Sequence, residues 1–101
     1  MIFVAGAMNM KPETIDAFVR DVAAMRPTVL TEPGCIHYSL LVEDAATGLV
    51  NVLEQWESYE ALVEHLKMPW IVEFFGKHGG NMTASTIEVF DIAGTRPLPS
   101  M

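Results

Sequence analysis

The groups best suited to chemistry in this chain are three histidines, two tryptophans and one cysteine. His65 sits beside Leu62 and Leu66 on the edge of an apolar helical stripe, where a neutral imidazole can serve as a general base near pH 7. The plainer reading is a histidine packed for structure at a helix edge. His37 lies two residues from Cys35 and two from Ser39, so alternation puts these three on one strand face and Tyr38 on the other. Trp56 ends a strand. It offers a flat aromatic wall and an indole N–H for a substrate oxygen, or else anchors a helix to the sheet as a core residue. Asn51 is a polar residue within an apolar strand. Trp70, Phe74 and Phe75, with Ile71, give the helix opened by Pro69 a wider apolar face than lying on a sheet requires. The expected catalytic residues are His65, Trp56 and His37, with Asn51, Tyr38, Trp70, Phe74 and Phe75 around the substrate.

Other chemistries find little support. His37, His65 and His78 show no metal-ligand spacing, and Gly76-Lys-His-Gly-Gly80 matches neither a P-loop nor a dinucleotide fingerprint. Glu60 and Glu64 read as a solvated helix face, and no serine–histidine–acid or paired-carboxylate pattern stands out. Cys35 has no adjacent cation to activate it and reads as an inert strand thiol. No metal and no cofactor is expected.

The elements that must position these groups follow from periodicity and punctuation. Ile2 to Met8 reads as a strand, apolar on both faces apart from Gly6. Pro12 then opens a helix at its first position, where a missing N–H is harmless. Ile15, Phe18, Val19 and Val22 mark the helix's buried stripe, which continues through Met25 or Arg26 to Val29 and Leu30; Pro27 predicts a kink near Ala23–Arg26 or a helix in two pieces. Pro33-Gly34 is a turn. Gly34 to Glu43 and Leu49 to Trp56 form an antiparallel hairpin across Asp44-Ala-Ala-Thr-Gly48. Ser58 is placed to cap a second helix, whose stripe is Tyr59, Leu62, Val63 and Leu66. The segment Gly76 to Asn81 reads as a breaker-rich loop, the flexible end of a lid formed by the third helix. Met82 to Ile92 reads as a last strand, and residues 93–101 as an irregular tail.

The order is β-α-β-β-α-β with one extra short helix: an α+β, ferredoxin-like chain with a four-stranded antiparallel sheet and helices on one face. At 101 residues it is one domain, 1–101. The sheet face turned away from the helices should be polar in a monomer, yet both faces of the hairpin are largely apolar. A homodimer, with two sheets packed across a two-fold axis, covers the second face. Pairing should leave a dry hollow beneath the helices for an aromatic guest. Thirteen acidic against six basic residues give a net charge of −7, which disfavours nucleic acid and anionic membranes as partners. The longest apolar run is eight residues, too short to span a bilayer, and a single cysteine fits a reducing cytoplasm.

The set Glu32-Pro-Gly-Cys35, Glu54-Gln-Trp56-Glu-Ser58, Ala61, Glu64-His65-Leu66 and Met68-Pro69 resembles the antibiotic biosynthesis monooxygenase family, small proteins with a dimeric α+β barrel. The segment from Arg26 to Cys35 resembles its bacterial quinol monooxygenase branch. The resemblance implies oxidation of a quinol or related phenolic or polycyclic aromatic substrate by O₂, without metal or flavin. It also implies an asparagine four residues before the tryptophan in relatives acting on anthrone-type substrates. Here that position is Val52, and Asn51 lies one residue off, on the opposite face unless a bulge intervenes. The histidine by which haem-degrading relatives ligate haem falls on Phe75. The alternative function is a non-catalytic module of the same fold that binds a hydrophobic ligand or only dimerises. An isomerase or decyclising enzyme on the same barrel is a third reading.

Overall fold

The computed structural model describes residues 1–100; Met101, the end of the expected irregular tail, lies outside the described residues. The strands are β1 (Ile2–Met10), β2 (Cys35–Asp44), β3 (Leu49–Trp56), β4 (Met82–Ser85) and β5 (Glu88–Asp91). The helices are α1 (Ile15–Val29), α2 (Tyr59–His65) and α3 (Pro69–His78). The sheet runs β2-β3-β1-β4 with every pairing antiparallel, and β5 continues along β1 beyond β4. This is the ferredoxin-like order, with its last edge strand broken in two.

That break corrects the expectation of one strand from Met82 to Ile92, and Gly6 accounts for it. The Thr86 carbonyl and Ile87 Cα lie 2.7 and 2.8 Å from where a Cβ on Gly6 would stand. Thr86 dips onto this bare stretch of β1, its N–H donating to the Ala7 carbonyl at 2.8 Å and its hydroxyl accepting from the Ala7 N–H at 3.2 Å. Gly6 has φ +147°, which side-chain-bearing residues rarely adopt.

Two helix expectations also change. Pro12 opens a short 3-10 turn, Pro12–Thr14, that leads directly into α1. α1 then runs through Pro27 as one element rather than two. Only the bond to the Ala23 carbonyl is forfeited there, while Met25 and Val29 stay buried on either side and hold the last turn down. The buried stripe is Ile15, Phe18, Val22, Met25 and Val29, each contributing roughly 1.5–3 kcal/mol on leaving water. α3 likewise continues through Gly76 to His78, followed by a 3-10 turn, Gly79–Asn81, where a loop was expected. An interior glycine costs about 1 kcal/mol, which burial of His78 and its bond to Asp21 offset.

Sheet parity decides which groups meet. In β3, Val50, Val52, Glu54 and Trp56 face the helices. β1 pairs with it in unbroken register from Ile2↔Trp56 to Asn9↔Leu49, so no bulge turns Asn51 inward. In β2 the register slips between Cys35 and His37, making Ile36 the extra residue. This reverses the expected parity at the strand's start: Cys35 joins Tyr38 against the core, and Ile36 is exposed. The face turned from the helices carries Leu41, Leu53 and Phe90, all exposed, along with Asn51 and His37. From Ile92 to Ser100 the chain forms no regular element. No helix among the described residues is long and apolar enough to cross a membrane.

Candidate functional site

The turn between α1 and β2 delivers a carboxylate to the interior. Glu32 N–H donates to the Val29 carbonyl and Cys35 N–H to that of Glu32, with Gly34 between them at φ +83°. A Cβ on Gly34 would stand 2.7 Å from that of Ala61. The glycine therefore lets α2 press against the turn. α2 starts at Ser58, whose hydroxyl accepts from the Ala61 N–H at 3.1 Å. One turn beyond Ala61 and Leu62, His65 reaches the same place as Glu32.

His65 is only 2 % exposed, and its Nδ1 lies 2.9 and 3.1 Å from the two oxygens of Glu32. The Trp70 indole N–H, from α3, donates to the same carboxylate at 2.9 Å. The Trp56 ring packs against the imidazole at 4.6 Å between centroids, and Tyr38 meets it edge-on at 5.4 Å. Four of the expected residues thus meet in one cluster: His65 and Trp70 bind the buried Glu32 carboxylate, and Trp56 and Tyr38 pack on the imidazole. The stripe of α2 is turned accordingly: Leu62 and His65 face inward, whereas Tyr59 and Leu66 are exposed.

Burial lowers the His65 pKa below the usual histidine value, against the pull of the Glu32 carboxylate. Near pH 7 the ring is neutral, with its proton on Nδ1 toward Glu32. Nε2 makes no hydrogen bond to a described residue. The ring borders a cleft of about 450 Å³ walled by the turn 32–34, Ser58, Ala61, Glu64 and Met68. A base backed by a carboxylate at the edge of an open cleft is equipped to take a proton from a bound ligand.

A second buried carboxylate lies on the inner face of β3. Glu54 accepts from the Trp56 indole N–H at 3.0 Å, so the donor expected for a substrate oxygen is already engaged. Burial pushes the Glu54 pKa to about 7, the Trp56 hydrogen bond opposes this, and the charge of Glu32 adds to it. Burial also raises Tyr38 well above the ordinary phenol value, with Glu54 and Glu32 contributing. Cys35 shifts upward for the same first reason, away from the thiolate form.

The remaining expected residues lie elsewhere. His37 faces away from the helices, its Nε2 2.7 Å from the Ser39 hydroxyl, so the sheet separates it from His65. Asn51 is exposed on that face and donates to Glu43 at 2.9 Å. Phe74 and Phe75 belong to a hollow under α3 with Met8, Met10, Phe18 and His78, and its volume of about 20 Å³ is far below that of an aromatic ring. The wide hollow expected there is filled by the aromatic residues that were to line it. Trp56, fully buried, packs instead against His65 beneath α2.

Glu32 and Glu54 were not among the expected site residues. Glu32 stands 33 positions from its histidine, and no local pattern links such a pair. Glu54 has one signal: it shares the inward parity of Val50, Val52 and Trp56, and a charged residue on a buried face is informative.

Residues 1–77 match the family described as antibiotic biosynthesis monooxygenase. The chain belongs to that family. A candidate antibiotic biosynthesis monooxygenase from Caulobacter crescentus has 26 % identity and a TM-score of 0.80 over 92 % of this chain and 90 % of that one. A corresponding Deinococcus radiodurans protein, 16 % identical, shares the fold with a TM-score of 0.84 over 99 % and 100 % of the two chains. The uncharacterized protein sll1783 of Synechocystis is 29 % identical over 96 % of this chain and 67 % of its own length. In this antibiotic biosynthesis monooxygenase family member, every group of the Glu32–His65 cluster lies within the matched residues, whereas His78 falls one position beyond them.

Proposed function

We propose that the chain is a cytoplasmic, homodimeric, cofactor-independent monooxygenase that oxidises a quinol or related phenolic ring with O₂. The observation that carries this reading is the buried Glu32–His65 pair at the edge of the cleft. Nε2 of His65 takes a phenolic proton, and Glu32 stabilises the imidazolium that results. The phenolate transfers one electron to O₂, and the two radicals combine to form a C–O bond. Loss of water from the peroxide leaves the ring oxidised. For a benzoquinol the balance is C₆H₆O₂ + O₂ → C₆H₄O₃ + H₂O, with all electrons supplied by the substrate. Tyr38, Trp56 and the other apolar walls keep the base desolvated and neutral until the proton arrives.

An oxygen electrode with reduced naphthoquinones tests this. Uptake is expected above the uncatalysed rate, and His65→Ala is expected to lower kcat/KM by roughly 10²–10⁴-fold. No uptake across several quinols rejects the reading. Full burial of Trp56 and engagement of both indole N–H groups favour a second reading, a hydrophobic-ligand-binding module. Ligand binding that survives His65→Ala with no oxygen consumed selects it.

The homodimer is supported by the outer sheet face, where Leu41 is 66 % exposed and Leu53 and Phe90 are also uncovered. Light scattering at micromolar concentration is expected to report a dimer for the native chain and a folded monomer for Leu41→Glu. A native chain that runs as a monomer overturns the assembly.

A further inference from the structure

The cleft beside His65 carries a second chemical signature, in the charge of its rim. It lies between α2 and the turn 32–34, away from the small hollow under α3, and its volume of about 450 Å³ is in the range of small-molecule sites. His65 is buried, yet its Nε2 has no hydrogen-bond partner among the described residues and, unlike Nδ1 of His78, is not sealed from solvent. An acceptor on a buried side chain thus opens on the cleft, where a ligand O–H can reach it.

Apart from His65, every ionisable side chain around the cleft is acidic: Glu32, Glu57, Glu60 and Glu64, with no lysine or arginine among the described residues that line it. Glu32 is committed to His65 and Trp70, and Glu64 to Lys67 at 3.1 Å. Glu57 and Glu60 form no ion pair among the described residues. Glu57 leans over the bare backbone of the turn, its Oε2 3.8 Å from where a Cβ on Gly34 would stand. Pro33, Ala61 and Met68 supply apolar surface between these charges.

The rim bears directly on the ring that His65 deprotonates. A phenolate formed here stands among carboxylates in a partly desolvated cleft, and like charges at close range oppose its formation. A positive group on the same ligand offsets that repulsion and pairs with the free carboxylates. Glu60 precedes His65 by five residues of α2, about 7.5 Å along the helix axis, a gap that a phenol with a two-carbon amine arm spans.

We infer that the cleft selects phenols carrying an ammonium group, the hydroxyl donating to Nε2 of His65 and the ammonium lying against Glu57 and Glu60. The inference rests on the proposed role of His65 as acceptor of the phenolic proton and adds the charge of the substrate. The chain's net charge of −7 draws such cations from solution and turns carboxylate-bearing phenols away.

The test is an anaerobic titration of histidine-¹⁵N-labelled protein with three phenols of like size: tyramine, 4-ethylphenol and 4-hydroxyphenylacetate. Tyramine is expected to shift the His65 resonances saturably and to bind about fivefold tighter than 4-ethylphenol, the upper value of one exposed ion pair. The carboxylate should bind weakest, and high salt should compress the differences. In Glu57→Gln/Glu60→Gln the preference should vanish. In Glu13→Gln/Glu73→Gln, which removes the same charge elsewhere, it should persist; all four side chains are exposed, so neither double variant disturbs the core. Equal affinities for the three ligands, binding that leaves the His65 resonances unmoved, a preference that survives in the first variant, or one lost in the second would overturn the inference. Oxygen uptake is read separately. Uptake from neutral quinols with no ammonium preference sinks the inference alone, whereas an ammonium preference without uptake upholds it while the activity falls.

Discussion

Glu32→Ala is expected to destabilise the protein by about 3–5 kcal/mol, the cost of stripping two donors of their shared acceptor. The carboxylate accepts from the buried His65 Nδ1 and from the part-buried Trp70 indole N–H. Each donor left unpaired costs about 1–3 kcal/mol. At about 4–8 °C per kcal/mol for a domain of this size, the melting temperature should drop by at least about 12 °C in calorimetry. Glu32→Gln keeps one oxygen acceptor and should lose less than half as much. If the alanine variant melts within about 3 °C of the native protein, the pair does not hold α2 and α3 to the turn.

Stability should also depend on pH through Glu54. Its carboxyl titrates at about 7 in the folded chain against an ordinary value of 4.5. Between those values the folded chain holds a proton that the unfolded chain has released. The contribution is therefore complete below about pH 4.5 and is lost as pH rises through 7, amounting to about 3 kcal/mol. His65 works in the opposite sense: its folded pKa lies below 6.5, so its contribution is lost as pH falls. Glu54→Gln isolates the first effect, because the amide remains neutral and still accepts from Trp56. Denaturant unfolding from about pH 4 to 8 should show the variant gaining about 3 kcal/mol on the native chain as pH rises. A difference that stays flat would mean that Glu54 is ionised in the fold throughout.

Much of the framework follows from local rules. Ser58 caps α2 and Pro69 opens α3 as their residue types require. The hairpin from Cys35 to Trp56 falls where its apolar runs and its Asp-to-Gly turn place it. Family membership, too, was carried by short motifs. The misplacements share one cause: each depends on what lies across from a segment, not on the segment itself. The last strand breaks because Gly6 on β1 makes room for Thr86. α3 passes Gly76 because Asp21 on α1 holds its end. One extra residue at Ile36 returns Cys35 to the core face.

The candidate site shows the same division. The sequence alone determined the strand and helix order, the residue types available for proton transfer, and the apolar character of both sheet faces. Only the tertiary structure decided that His65 is paired with Glu32, that Trp56 spends its N–H on Glu54, that His37 lies across the sheet, and that His78 is paired with Asp21. The reason is physical. Periodicity records which face of an element avoids water, but a hydrogen bond between groups 33 or 57 residues apart exists only once packing has brought those faces together.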